Sequence, residues 1–91
     1  MAETNVIRVR YWAAAKAAAG TEADDVPVNG SMTLAELRRA VAGLHPETRL
    51  AEVLAACSTL VGEHPVGTAD PTTVVIEAGA SVEFLPPFAG G

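Results

Sequence analysis

The chain has 91 residues, which is enough for one domain and too few for a second, so we expect a single domain over residues 1–91. Its six Lys and Arg residues stand against eleven Asp and Glu, and the net charge of −5 disfavours nucleic acid as a partner. A single cysteine excludes an internal disulfide and a multi-cysteine zinc site. Since no secretion signal or membrane-spanning apolar run is recognisable either, the sequence favours a cytoplasmic protein that does not bind membranes.

The first predicted element is a half-buried strand in the stretch "VIRVRYW". The stretch alternates between two sets of residues, one of which is Ile7, Val9 and Tyr11 and the other Arg8, Arg10 and Trp12. We expect the first set to face the core. The following "AAAKAAAG" favours a short helix, which Gly20 would end.

A second strand is predicted in "TEADDVPV", where Val26 and Val28 are two residues apart and a turn-forming Asn29-Gly30 pair follows. We expect it to pair with the first strand. The adjacent Asp24 and Asp25 could be mistaken for paired catalytic acids, but on a strand their side chains diverge, and a solvated edge is the simpler interpretation.

The main helix is predicted in "MTLAELRRAVAGL". Thr33 and Glu36 have the spacing of a capping box at its start. One apolar stripe is formed by Leu34, Leu37, Val41 and Leu44.

A shorter helix is predicted in "HPETRLAEVLAAC", with Pro46 in its first turn. Its apolar stripe consists of Leu50, Val53, Leu54 and Cys57. Cys57 lacks a basic or histidine neighbour in the sequence, so we interpret it as a small apolar core residue and not as a catalytic thiol.

The remaining elements are short. "STLVGEHPVG" predicts a strand, a turn and a partner strand, with Pro65 indicating an edge, and "DPTTVVIEAGA" predicts one turn of helix or irregular chain. "SVEFL" predicts a last strand beside the first, which Pro86 and Pro87 end. This order predicts an α+β fold, the ubiquitin-like β-grasp, with one main helix across a mixed sheet and an extended C-terminal tail over residues 85–91.

These residues resemble a known family, the MoaD/ThiS sulfur carriers, and most closely the small subunit of molybdopterin synthase. The resemblance covers nearly the whole chain, from "VRYWAAAKAAAG" to "VEFLPPFAGG", and its specific part is the terminal Pro-Pro-x-x-Gly-Gly pattern. Lys16-Ala17, Ala80 and Phe88 depart from the residues usual at their positions.

The resemblance implies that the main-chain carboxylate of Gly91 is the reactive group, with Gly90 beside it. A ubiquitin-activating-like adenylyltransferase would use ATP and Mg²⁺ to adenylate Gly91, and a sulfurtransferase would supply the sulfur that leaves a thiocarboxylate. The chain would bind no cofactor or metal and would not be a catalyst alone. Two glycines suit a narrow channel in the activating enzyme and in the synthase large subunit, because a Cβ would collide there.

A partner-binding surface is predicted from strand parity. Trp12 and Leu85 fall on the otherwise polar face of neighbouring strands, so two large apolar side chains would be exposed together. The alternative is that the alanine segment folds over Trp12 and buries it. The predicted partner-binding set consists of Trp12, Pro65, Leu85, Pro86, Pro87, Phe88 and Ala89.

Three other functions remain open at this point. The chain could carry sulfur for thiamine or cysteine synthesis, modify lysines through Gly91 as a ubiquitin-like modifier, or serve as a non-catalytic binding module.

His45 could cap a helix and His64 lies in a turn, and neither has companions at metal-ligand spacing.

Overall fold

A computed structural model describes residues 5–87 and divides them into a mixed sheet, a small second sheet and three helices. In chain order the elements are β1 (Val6–Tyr11), α1 (Ala13–Ala19), β2 (Ala23–Pro27), β3 (Ser31–Thr33), α2 (Leu34–Leu44), α3 (Leu50–Ala56), β4 (Ser58–Val61), β5 (His64–Pro65), β6 (Val75–Glu77) and β7 (Ser81–Leu85). The main sheet has the strand order β2-β1-β7-β4-β5, and β3 pairs with β6 in the second sheet.

The first and last strands lie side by side at the centre of the main sheet, as the sequence predicts. β1 and β7 are parallel, with Val9 opposite Val82 and Tyr11 opposite Phe84. β2 and β4 continue the sheet on either side in antiparallel pairing, and Pro65 lies on the short edge strand β5. The predictions of a strand pair at the N-terminus and of an edge at Pro65 are therefore confirmed.

One face of the sheet carries the hydrophobic core. Ile7, Val9 and Tyr11 are buried, as their alternation with exposed Arg8 and Arg10 predicts. The buried apolar residues within 5–87 are Ile7, Val9, Tyr11, Ala15, Ala19, Val26, Val28, Leu34, Leu37, Val41, Leu50, Leu54, Ile76, Val82 and Phe84. Among residues 5–87, the helices pack on this face, and Arg8 and Arg10 on the opposite face are exposed. We call that opposite face the open face.

The main helix α2 begins with the predicted capping box. The Thr33 hydroxyl accepts a hydrogen bond from the Glu36 N–H at 3.1 Å, and the Glu36 carboxylate accepts one from the Thr33 N–H at 2.8 Å. Its apolar stripe is shorter than predicted, because Leu44 at the last helical position is 53% exposed. Leu34, Leu37 and Val41 form the buried part of the stripe.

Two local elements differ from the sequence prediction. The helix predicted to start near Pro46 begins at Leu50, because Thr48 closes a turn onto the His45 carbonyl and its hydroxyl accepts the Leu50 N–H. The stretch from Asp70 to Ala80, predicted as one turn of helix or irregular chain, contains the short strand β6 between irregular segments. Ile76 of β6 is buried and lies opposite Met32 of β3, so a contact between distant parts of the chain fixes this strand.

The short helix α1 ends as predicted. Gly20 has φ of +74° and donates its N–H to the Lys16 carbonyl at 2.9 Å. A glycine favours this left-handed backbone because it has no Cβ.

Candidate functional site

The candidate site lies where β7 leaves the main sheet. The Trp12 N–H donates to the Phe84 carbonyl at 3.0 Å, and β7 ends one residue later at Leu85. Pro86 and Pro87 follow and are exposed, and neither has an N–H to extend the pairing. The predicted reactive residues Gly90 and Gly91, together with Phe88 and Ala89, lie outside the described residues.

The open face of the sheet carries a small apolar patch beside this exit. Leu60 lies opposite Glu83 on one side and opposite Pro65 on the other, and Leu85 lies opposite Ser58. Paired residues share a face, so Leu60, Pro65 and Leu85 lie on the same side of the sheet. Pro65 is exposed, while Leu60 and Leu85 are half-buried. We call these three residues the open-face patch.

Leu60 is a member of this patch that the sequence analysis did not identify. The strand containing it was predicted, but its facing direction was not assigned. The alternation of side chains along the strand "STLV" indicates the direction of Leu60. Thr59 is buried on the core side, and because successive side chains of a strand point to opposite faces, Leu60 points to the open face.

Trp12 lies at the end of the sheet, between the open face and the base of the tail. Its indole N–H donates to the Glu83 carboxylate at 3.0 Å, and the Arg10 guanidinium lies 5.5 Å from the ring centroid. With 42% of its surface exposed, Trp12 is not buried by the alanine segment, so that alternative is wrong. The residue that follows, Ala13, has φ of +52°, a strained value for a residue with a Cβ.

A cavity of about 210 Å³ lies on the other side of Trp12. It is bounded by Pro86 and Pro87 and by the two short helices α1 and α3. Its lining is almost entirely apolar and consists of Trp12, Ala13, Ala14, Ala15, Val53, Ala56, Cys57, Pro86 and Pro87. We call it the tail-base cavity. No pattern in the sequence predicts this cavity, because it depends on how α1 and α3 pack beside the end of β7.

Cys57 lines the tail-base cavity and is only half-buried. Burial raises the pKa of its thiol, and the positive charge of Arg38 acts in the opposite direction. A raised pKa keeps the thiol protonated and weakly nucleophilic at neutral pH, which supports the interpretation that Cys57 is not catalytic.

A polar cluster links β1, β2 and the end of α2. The Tyr11 hydroxyl donates to Asp24 Oδ2 at 2.8 Å, and His45 Nε2 lies 2.7 Å from the same oxygen. Desolvation by burial, followed by the hydrogen bond and the charge of Asp24, raises the pKa of Tyr11 far above its ordinary value. We expected both aspartates to be solvated, but Asp24 is half-buried in this cluster. Only Asp25, which forms an ion pair with Arg8 at 3.0 Å, is exposed.

Two further features were sought in the part of the chain that the structure describes, a cluster of metal-ligating side chains and a membrane-spanning helix. Within residues 5–87, no three His, Cys, Asp or Glu side chains are grouped closely enough to hold a metal ion. In the same range, none of the helices is both long and apolar enough to cross a bilayer.

Comparison of sequences finds no relative of this chain, whereas comparison of structures finds several similar folds. No protein-family model and no curated protein sequence matches the chain. Among solved structures, the modifier protein SAMP1 from Haloferax volcanii has a TM-score of 0.73 at 22% identity, covering 94% of this chain and 99% of that one. The chain has the ubiquitin-like β-grasp fold. The predicted fold class is thus confirmed.

Two other β-grasp neighbours have names that refer to molybdopterin. Molybdopterin converting factor subunit 1 from Pyrococcus furiosus has a TM-score of 0.73 at 16% identity, covering 91% of this chain and 98% of that one. A chain from the complex of subunits 1 and 2 of molybdopterin-converting factor from Helicobacter pylori has a TM-score of 0.60 at 27% identity. The match covers 94% of this chain and 99% of that one. These neighbours confirm the resemblance to the MoaD/ThiS family that the sequence indicates.

Proposed function

We propose that this β-grasp protein is a sulfur carrier of the MoaD/ThiS family and acts as the small subunit of a molybdopterin synthase. In this proposal the main-chain carboxylate of Gly91 becomes the thiocarboxylate that gives sulfur to cyclic pyranopterin monophosphate. The chain works in the cytoplasm with a large catalytic subunit and has no catalytic activity alone.

One observation carries the proposal: the central strand β7 ends in exposed Pro86 and Pro87 at the border of the sheet. A strand held on both sides by β1 and β4 is a firm base for a segment that must enter another protein. Two prolines restrict the backbone at that base, so less conformational entropy is lost when residues 88–91 insert into a channel.

The open-face patch supplies a docking surface next to that base. Leu60, Pro65 and Leu85 form an apolar area with the Arg8–Asp25 ion pair on the same side of the sheet. An apolar centre with charged groups around it is typical of a protein interface. The complex of subunits 1 and 2 from Helicobacter pylori supports this proposal of a partner subunit.

The chemistry needs two steps that this chain does not perform. A separate adenylyltransferase uses ATP and Mg²⁺ to convert the Gly91 carboxylate into an acyl adenylate, releasing pyrophosphate. A sulfurtransferase then delivers a sulfide equivalent that displaces AMP. Since each carrier brings one sulfur and the dithiolene product has two, the large subunit must exchange a used carrier for a loaded one.

A second candidate function is that of a ubiquitin-like protein modifier. It is favoured by the neighbour from Haloferax volcanii, which is named as a modifier protein and matches the fold more closely than the Helicobacter pylori chain does. In that case Gly91 would form isopeptide bonds with lysines. Carriers for thiamine or cysteine synthesis have the same chemistry at Gly91 and differ in the partner.

The test is to express the tagged full chain in its native cytoplasm, isolate it and measure its intact mass and its bound proteins. We expect a fraction with one terminal oxygen replaced by sulfur, together with a copurifying pterin-binding large subunit. A chain truncated after Ala89 is the control and should show no exchange of oxygen for sulfur. Lysine adducts without sulfur would favour the modifier, and a thiazole or cysteine synthase as partner would reject the molybdopterin role.

A further inference from the structure

The tail-base cavity is an apolar site next to the point where the described chain ends. It has a volume of about 210 Å³, and Val53, Ala56 and Cys57 line one wall while Pro86 and Pro87 line another. An apolar cavity of about 150 Å³ is large enough to hold benzene, so this one can accept an aromatic ring. The sulfur-carrier proposal gives this cavity no role.

Phe88 is the large apolar residue outside the described residues that comes nearest to the cavity lining along the chain. It directly follows Pro87, which is itself part of the wall, and consecutive Cα atoms are about 3.8 Å apart. The other large apolar side chain outside the described residues, Met1, precedes the start of β1. β1 runs six residues, roughly 20 Å, from Val6 to the end of the sheet where the cavity lies.

We propose that Phe88 docks into the tail-base cavity of its own domain and so holds the tail against α1 and α3 in the free protein. The ring leaves water for an almost wholly apolar lining, which favours the docked state, while ordering one or two residues opposes it. Docking is therefore reversible. The ring's release when a partner takes up the tail rests on the proposed function, but docking itself does not.

Cys57 provides a direct probe because it lines the cavity and is the only cysteine of the chain. A docked ring shields its thiol from a small alkylating agent. In the isolated full chain we expect iodoacetamide to modify Cys57 about fivefold faster or more in Phe88→Ala than in wild type, with Phe88→Leu between them. Measuring the rate over a range of pH separates shielding from a change in the thiol pKa.

Two further variants identify the site of docking. Ala14→Leu places a larger side chain in the cavity at an exposed helical position, so Phe88→Ala should have no added effect on the alkylation rate in that background. Ala89→Gly changes the tail but keeps the ring and should react as wild type does. The Val53 methyl NMR signals should shift on Phe88→Ala, because the ring lies close to them when docked.

The proposal is overturned if wild type and Phe88→Ala react equally fast and the Val53 methyl signals do not move. It is also overturned if Cys57 becomes protected only when a partner protein is added, since the cavity then receives a partner's side chain. Neither result bears on sulfur loading, which the intact mass of the cellular protein tests separately.

Discussion

The indole N–H of Trp12 donates a hydrogen bond to the Glu83 carboxylate at 3.0 Å, joining the end of β1 to the middle of β7. This contact holds a 42% exposed aromatic ring at the border of the sheet. The ring therefore stands beside the open-face patch on one side and forms part of the tail-base cavity on the other.

Leu85→Asp should weaken binding of the partner large subunit by about tenfold or more while the domain stays folded. Leu85 is half-buried on the open face, so a charge there is desolvated when a partner covers it. Calorimetric titration measures the affinity, and circular dichroism checks the fold. Ala51→Asp adds the same charge at an exposed position of α3 and is the control. Equal losses in both variants would mean that charge, not the patch, governs binding.

Trp12→Phe tests the other end of this surface. The substitution keeps a ring but removes the hydrogen bond to Glu83, so we expect a small loss of stability, of about 0.5–1.5 kcal/mol, because the bond is partly exposed. Unfolding in urea measures this change in the free energy of unfolding. Glu83→Gln keeps an acceptor for the indole and should cost less than Trp12→Phe; a larger cost would show that the Glu83 charge has another role.

Tyr11 makes the stability of the fold sensitive to alkaline pH. Its pKa in the folded state is raised, first by burial and then by Asp24, above the value near 10.0 that it has when unfolded. The stabilising contribution is fully present below pH 10 and is lost as the pH rises from there towards the folded pKa, because only the unfolded chain releases the proton. The free energy of unfolding should therefore fall above pH 10.

Tyr11→Phe removes this dependence and provides the comparison. The variant should also be about 1–3 kcal/mol less stable at neutral pH, since the half-buried Asp24 loses a hydrogen-bond donor. As Tyr11 is the only tyrosine, ultraviolet absorbance can follow its ionisation directly. Ionisation of the folded protein at pH 10 would contradict the burial that the structure shows.

The sequence predicts the elements whose signals are local. Ile7, Val9 and Tyr11 alternate over a full strand, and Thr33 with Glu36 closes the capping box within one helical turn. Each of these signals comes from residues that are neighbours in the chain, so periodicity and spacing are sufficient to find them.

The elements that were missed depend on contacts between distant residues. β3 and β6 have three residues each, and their pairing with each other, with Met32 opposite buried Ile76, makes them strands. Asp24 shares the strand parity of buried Val26, which could have placed it on the core side. Its partners Tyr11 and His45, however, come from other parts of the chain and could not be found from spacing.

Gly91→Ala should abolish or strongly reduce formation of the thiocarboxylate without changing the fold. Gly91 lies beyond Pro87, where β7 and the core have already ended, so we expect the free energy of unfolding to stay within about 0.5 kcal/mol of wild type. The added methyl group would collide with a channel that admits only a glycine end. Incubation with the activating enzyme, ATP, Mg²⁺ and a sulfur donor, followed by intact-mass measurement, gives the loaded fraction. Ala51→Ser is the control and should load normally, because Ala51 is exposed on α3 and lies outside the predicted partner-binding set. Full loading of Gly91→Ala would show that the channel tolerates a Cβ and that the two glycines are needed for another reason.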